Sequence, residues 1–467
     1  MLYHIIFYIR LSPYTKRGLT MHKSVRFISF SILLVFFGFQ GTAVAGNHAS
    51  LSEIKKELAA IQEKYESKIA ELEAKIEAIS TANAGNTGMA SSKNFPRKAK
   101  KVSNFNPAVS IVLNGKATTF SESSGEMEGF AVGEEGERGR EGLGLGESEL
   151  TVAANVDDKF YGSFTAAIVR EDGSDIIELE EAYLQTLAGL QFIDGLTIKA
   201  GRAFWTIGYL NEHHAHTDDF ADRPLPYRAF FNKAYNDDGV EVSYLLPTDF
   251  YAEVGMGAFR GDDFPFGGSD GEGIGAWSAY ARVGSDIGAN QSWRLGGYAL
   301  MGEAKGGRTT EEGAITFVGD TDLYGMDFRY TFAPTGNARE REFILQGEAF
   351  WRDEDGTYDV GGGAVNHDDT SVGWYAQGVY KFAQKWRAGV RYSELESPDI
   401  QAGLVGTGLD GTQHDPRSTS LMLDYTNSEF SRWRFQYNYN ELSRTSNDNQ
   451  FMIQYIMSIG AHGAHKY

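Results

Sequence analysis

From residue 106 onward, hydrophobic and polar positions alternate with a period of two. Trp433, Phe435, Tyr437 and Tyr439 are separated by Arg434, Gln436 and Asn438. Trp374 to Phe382, Trp386 to Tyr392 and Phe160 to Ala166 repeat the pattern. Such alternation describes β-strands with two unlike faces. A sandwich would have to cover its apolar face with a second sheet. Here aromatic residues gather near strand ends and the opposite face is too polar to form a core. Those are the marks of a transmembrane barrel with lipid outside. The pattern predicts an all-β fold, an antiparallel barrel of about 16 strands: 107–119, 146–156, 159–169, 175–187, 195–204, 238–246, 249–260, 274–285, 291–303, 322–333, 341–352, 371–382, 385–395, 418–427, 431–442 and 449–460. Long connections (120–145, 205–237, 261–273, 304–321, 353–370, 396–417) alternate with short ones, except for a short one near Gly173. Barrels of this kind place short turns in the periplasm and long loops outside.

The first hundred residues follow other rules. Met21 to Ala45 has a basic start (Lys23, Arg26), an apolar run from Ile28 to Phe39 and a small-x-small site at Ala43-Val44-Ala45. This is the pattern of a secretory signal peptide. Residues 1–45 are therefore expected to be an upstream extension plus a signal peptide starting at Met21. Leu51, Ile54, Leu58, Ile61 and Tyr65, then Ile69, Leu72, Ile76 and Ile79, keep coiled-coil spacing with one four-residue stutter. An α-helical coiled coil over 46–80 is expected in the periplasm. Isoleucine at both core positions favours three strands. Residues 81–104 form a linker with a basic knot (Lys93, Arg97, Lys98, Lys100, Lys101), and 105–467 form the barrel.

Composition narrows the function. The 467 residues contain no cysteine, so disulfides, thiolate metal sites and cysteine nucleophiles are excluded. The net charge of −20 falls to −25 once the five basic residues of 1–45 are removed, which argues against a nucleic-acid partner. An enzyme on the barrel would need a Ser–His pair on its lipid face. Most histidines of the strand-rich region instead lie in a loop or the tail, so no enzyme is expected.

The signal peptide, strand count and aromatic Tyr467 resemble a Gram-negative outer-membrane porin over about residues 105–467. Ala200 to Phe204, Gly208 to Glu212 and Asp219 to Pro224 resemble the phosphate-selective O/P porin superfamily. The N-terminal coiled coil resembles trimeric DcaP-like porins. Phe105 to Ala108, the His-rich Asn211 to Phe220 segment and the Gly460 to His465 tail resemble a proteobacterial family often labelled zinc-regulated TonB-dependent receptors. TonB-dependent receptors need roughly 22 strands and a plug, for which this chain lacks room.

The resemblance implies that the third external loop, 205–237, folds inward as the pore constriction. It carries His213, His214, His216, Asp218, Asp219, Asp222, Arg223 and Arg228. His213, His214 and His216 are candidate metal ligands, for zinc or another divalent cation, since imidazole and carboxylate suit such ions. They are too dense for all three rings to converge. The alternative is that this polar loop shapes the field or is pinned to the wall. No other cofactor is expected. The polar parity puts Arg282, Arg294, Arg329, Arg387, Arg391 and Arg434 on one part of the wall and Glu147, Glu149, Glu241 and Glu253 on another, with Glu180 of ambiguous parity. Opposed walls create a transverse field unless their charges pair. The loop 120–145 is acidic (Glu122, Glu126, Glu128, Glu134, Glu135, Glu137) and is read as solvated. The expected function is passive diffusion of small polar or charged solutes by a homotrimer in outer-membrane lipid. The alternatives are a metal uptake channel or receptor, and a plugged barrel tethered to the cell wall.

Overall fold

The computed structural model describes residues 107–171, 174–187, 193–267, 273–304, 315–412 and 414–460. The expected leader, coiled coil, linker and histidine tail lie outside these residues. Sixteen strands close into an antiparallel barrel: β1 (Ala108–Phe120), β3 (Ser148–Asn155), β4 (Phe160–Glu171), β5 (Ser174–Thr186), β6 (Leu196–Phe204), β7 (Asn236–Leu245), β8 (Tyr251–Phe259), β9 (Ala276–Asp286), β10 (Gln291–Ala304), β11 (Thr316–Phe332), β12 (Glu342–Asp359), β13 (Ala364–Ala383), β14 (Trp386–Glu396), β15 (Arg417–Ser428), β16 (Ser431–Glu441) and β17 (Asp448–Gly460). A short β2 (Gly142–Leu145) pairs with the far end of β1. Each wall strand pairs with its sequence neighbour, and β1 with β17 over Ser110↔Gly460 to Phe120↔Gln450 closes the ring. Closure leaves no open sheet edge, the condition for strands to cross lipid.

The alternation sorts the two faces. Exposed outward positions include Leu345, Val390, Leu421, Leu423, Phe435 and Ile453. Trp386, Tyr425, Trp433 and Tyr455 pair in register across four consecutive strands near the end where β1 starts. Their rings lie 4.5 to 4.8 Å apart in the Trp386–Tyr425 and Trp433–Tyr455 pairs. On β11, β12 and β13, Tyr324, Trp351 and Trp374 form a second aromatic group towards the other end. Aromatic girdles of this sort flank the apolar band of membrane barrels. Inward positions on the same strands are buried and polar, among them Gln377, Asp424, Arg434, Asn438 and Gln454.

Two expectations change. The connection placed at 353–370 is mostly strand, and so are residues 316–321 of the one placed at 304–321, because β11, β12 and β13 run on to 17, 18 and 20 residues. There the polarity inverts. Asp320, Asp355 and Asp368 face out, while Phe317 and Tyr358 pack inside with Leu404 and Leu409. A reading that ends a strand where its outward residues cease to be apolar stops too early. The loop 120–145 is not wholly solvated either. Glu126, Glu134, Glu135 and Glu137 are exposed, but Met127, Phe130, Ala131 and Val132 tuck into the interior.

Candidate functional site

The segment between β6 and β7 lies inside the barrel. Its base is stapled by Asn211, whose Nδ2 donates to Trp205 O (2.8 Å) and Tyr235 O (2.9 Å) while its Oδ1 accepts from Tyr235 N (2.6 Å). Gly208 has φ +81°, and a Cβ there would strike Glu348 and the Tyr227 hydroxyl. Glycine is therefore required on both conformational and spatial grounds. Single 3₁₀ turns at Leu210–Glu212 and Ala215–Thr217 lead to Pro224 and a short helix, α1 (Leu225–Phe231). α1 is wholly buried, with Phe230 and Phe231 packed among Phe130, Phe350 and Leu395.

Inward side chains from around the ring hold this segment. On β12, Glu348 accepts from Tyr209 N (2.7 Å), Leu210 N (3.2 Å), Tyr227 Oη (2.9 Å) and Tyr375 Oη (2.6 Å). On β14, Arg391 donates to Asp222 O (2.7 Å) and Oδ1 (2.6 Å), and Arg387 bridges Asp219 (2.8 Å) and Asp424 (2.5 Å). On β16, Arg432 donates to His216 O (2.6 Å), Arg434 to Asp218 O (2.6 Å), and Gln436 and Asn438 to Asp222. Lys116 of β1 donates to Ala221 O (3.3 Å), and Arg282 of β9 pairs with Glu212.

The predicted loop residues separate into distinct roles. Asp218 pairs with Arg223 (2.8 Å), which also donates to Leu210 O and His213 O. Asp219 and Asp222 are wall anchors. Half-buried Asp222 keeps its carboxyl below the usual range because Arg391 and Gln436 outweigh desolvation. Arg228 is a strut, with its Nε donating to Gly136 O (2.7 Å) of the first loop.

The three histidines part company, as their density along the chain requires. His213 stacks on Tyr209 (4.7 Å) and bonds Tyr209 O (2.8 Å), and burial lowers its pKa. His214 and His216 turn to the acidic wall. His216 Nδ1 is 2.7 Å from Glu149 Oε1. His214 Nε2 is 3.0 Å from Glu181 Oε2, while its Nδ1 lies 3.2 Å from Glu149 Oε2 and 3.4 Å from Glu180 Oε2. Burial opposes a charge on His214, but Glu149 and its neighbours hold the pKa well above 6.5. A bulge between Thr165 and Ala166 sets Glu181 and Leu179 opposite successive residues. Glu180 is left without a ladder partner, and both Glu180 and Glu181 reach His214. This bulge explains the ambiguous parity of β5.

Arg282, Arg294, Arg329, Arg387, Arg391 and Arg434 face in, as do Glu149, Glu241 and Glu253. Much of the charge is paired locally, however. Arg294 meets Asp327 (3.4 Å), Arg434 meets Asp424 (2.9 Å), Glu147 meets Lys233, and Glu241 accepts from Thr206 N and Oγ1. Arg294 and Arg329 both lie over the Tyr209 ring, at 4.6 and 4.7 Å. Sequence reasoning missed Glu348, Asp424, Glu181 and Lys233. Only the inward parity of their strands marked the first two.

No family model matches the chain. A protein of Aquifex aeolicus (strain VF5), described as uncharacterized, is 27% identical over 392 residues, covering 78% of this chain and 80% of its own. Among solved structures, the outer membrane channel DcaP of Acinetobacter baumannii is similar at 13% identity and TM-score 0.48, covering 76% of this chain and 97% of that one. An anion-selective porin from Comamonas acidovorans (8%, TM-score 0.47) and the trimeric form of OmpT from Vibrio cholerae (12%, TM-score 0.46) each cover 76% of this chain and 99% of theirs.

Proposed function

We propose that this chain is a passive outer-membrane diffusion channel for small polar or charged solutes in a Gram-negative bacterium. The segment between β6 and β7 serves as its constriction. The observation that carries this reading is the placement of that segment across the interior, tied to β1, β3, β9, β12, β14 and β16. An inward-folded loop narrows a barrel of sixteen strands, which would otherwise enclose an aqueous lumen. Selectivity then rests on width and on the wall charges beside the loop, with no covalent step. The apolar outer band favours a lipid setting. We further propose a homotrimer, with the coiled coil over 46–80 contributing from the periplasm. Purified protein in planar bilayers is expected to give stepwise conductance. Absence of any steps, with the barrel folded, overturns the channel reading. Deleting 51–80 should weaken the trimer in sedimentation, and an unaltered profile would remove the coiled coil from assembly.

A further inference from the structure

The acidic wall beside His214 has a geometry the channel reading does not use. His214 Nδ1, Glu149 Oε2 and Glu180 Oε2 face one another at 3.2 and 3.4 Å without hydrogen-bond geometry, and none of the three atoms has a hydrogen-bond partner. The Glu149 side chain is only 1% exposed. Two buried carboxylate oxygens converging on one imidazole nitrogen need a positive centre between them, either a proton on His214 or a bound cation. Their spacing fits a metal. Bonds of about 2.0 to 2.1 Å to a tetrahedral ion place its ligands about 3.4 Å apart. Glu147, held on its other side by Lys233, also offers an oxygen within 4.8 Å of this set.

The surroundings are arranged as supports for such a site. Glu181 Oε2 sits 3.0 Å from His214 Nε2, which would keep a proton there when a cation displaces the one on Nδ1 and takes its lone pair. A carboxylate behind a ligating histidine is the usual orienting device of metal sites. His216 Nδ1 engages Glu149 Oε1 and so directs Oε2 at the centre. We propose that Glu149, Glu180 and His214 bind one divalent cation of the zinc class, with Glu181 and His216 as positioning residues. One imidazole among two carboxylates selects a borderline metal over calcium or magnesium, which take oxygen ligands. The ion would join β3, β5 and the inward loop, residues distant in sequence. The site stands whether or not the barrel conducts.

The test uses the untagged mature chain folded in detergent, with His462 and His465 changed to Ala so that the tail cannot compete. Equilibrium dialysis against zinc chloride is expected to give one zinc per barrel. Glu149→Gln and Glu180→Gln should each weaken binding at least tenfold. Glu181→Gln, a positioning change, should weaken it about 10- to 100-fold. Loss of the heat-dependent shift in gel mobility would reveal a variant that has not folded. Cobalt(II) on the otherwise unaltered chain then serves independently. An intense visible band from a four-coordinate ion supports the site, and only the weak spectrum of hydrated cobalt overturns it. Absence of stoichiometric zinc, or binding unchanged in folded Glu149→Gln and Glu180→Gln, means that a protonated His214 alone bridges the carboxylates.

Discussion

Glu348 bears most directly on whether the inward segment is a fixed part of the wall. Its two oxygens accept four hydrogen bonds, from two backbone amides and two tyrosine hydroxyls, and its side chain is buried against Gly208. Glu348→Ala removes the two oxygens that accept all four bonds at once. Each buried donor left unpaired costs about 1–3 kcal/mol. The two hydroxyls can rotate to other partners, but the Tyr209 and Leu210 amides cannot, so a net cost of about 4 kcal/mol falls on the segment. The ring of strands keeps its ladders, so this cost appears as local opening and not as global unfolding. At about 1.4 kcal/mol per factor of ten, exchange protection at the Tyr209 and Leu210 amides should fall by about three orders of magnitude. Glu348→Gln keeps one oxygen, turns a donor towards two donors, and should fall between. Hydrogen exchange read by mass spectrometry over 205–235, with β15 and β16 peptides as the internal reference, makes the measurement. If protection over Tyr209 and Leu210 is unchanged in Glu348→Ala, the carboxylate does not hold the segment and the constriction argument loses its main anchor.

Other outcomes follow from the same geometry. Asp222→Ala removes the acceptor for Arg391, Gln436 and Asn438, and is expected to raise conductance and current noise in single-channel records. Leu421→Lys puts a charge in the outward apolar band and should cost about 2–4 kcal/mol in a urea titration in lipid, while Val405→Lys in a loop should cost almost nothing. Asp263, in the loop after β8, has its pKa raised to about 7 by burial and by the charge of Asp237. A raised carboxyl gives stability that is full below its unfolded pKa and is lost as pH rises through about 7. After correction for intrinsic rates, exchange over Phe266 and Gly267 should therefore quicken between pH 6 and 8, and Asp263→Asn should flatten that rise.

The sequence carried the barrel well where one rule held. β14, β15 and β16 fall within one or two residues of their expected spans, because period-two alternation with apolar residues outside is enforced by lipid. The rule failed where lipid no longer sets the outer face. The far ends of β11, β12 and β13 carry Asp320, Asp355 and Asp368 outside and Phe317 and Tyr358 inside, the pattern of a water-soluble sheet. The candidate site was legible by composition but not by grouping. The dense histidines were noticed, yet one-residue steps along an irregular loop turn successive rings apart, so His213 meets Tyr209 while His214 meets β3 and β5. Glu180 and Glu181 could share a target only through a bulge, which no alternation pattern reveals. Asp424 and Glu348 gave no signal beyond parity, since a lone acid inside a strand looks the same whether it meets water or four donors.

The unequal strand lengths have a mechanical consequence. At about 3.3 Å per residue and a tilt near 40°, the 20 residues of β13 rise about 50 Å, against an apolar band about 25 Å tall. The ladders of β12 with β11 and β13 run unbroken to Asp359↔Ala364, so one side of the rim stands well clear of the lipid as a stiff parapet. The turn at its crest is short, with Gly361 and Gly363 at φ +85° and +103°. A peptide spliced between them would ride on a rigid mast, held clear of the surface by paired backbone without a separate domain to support it.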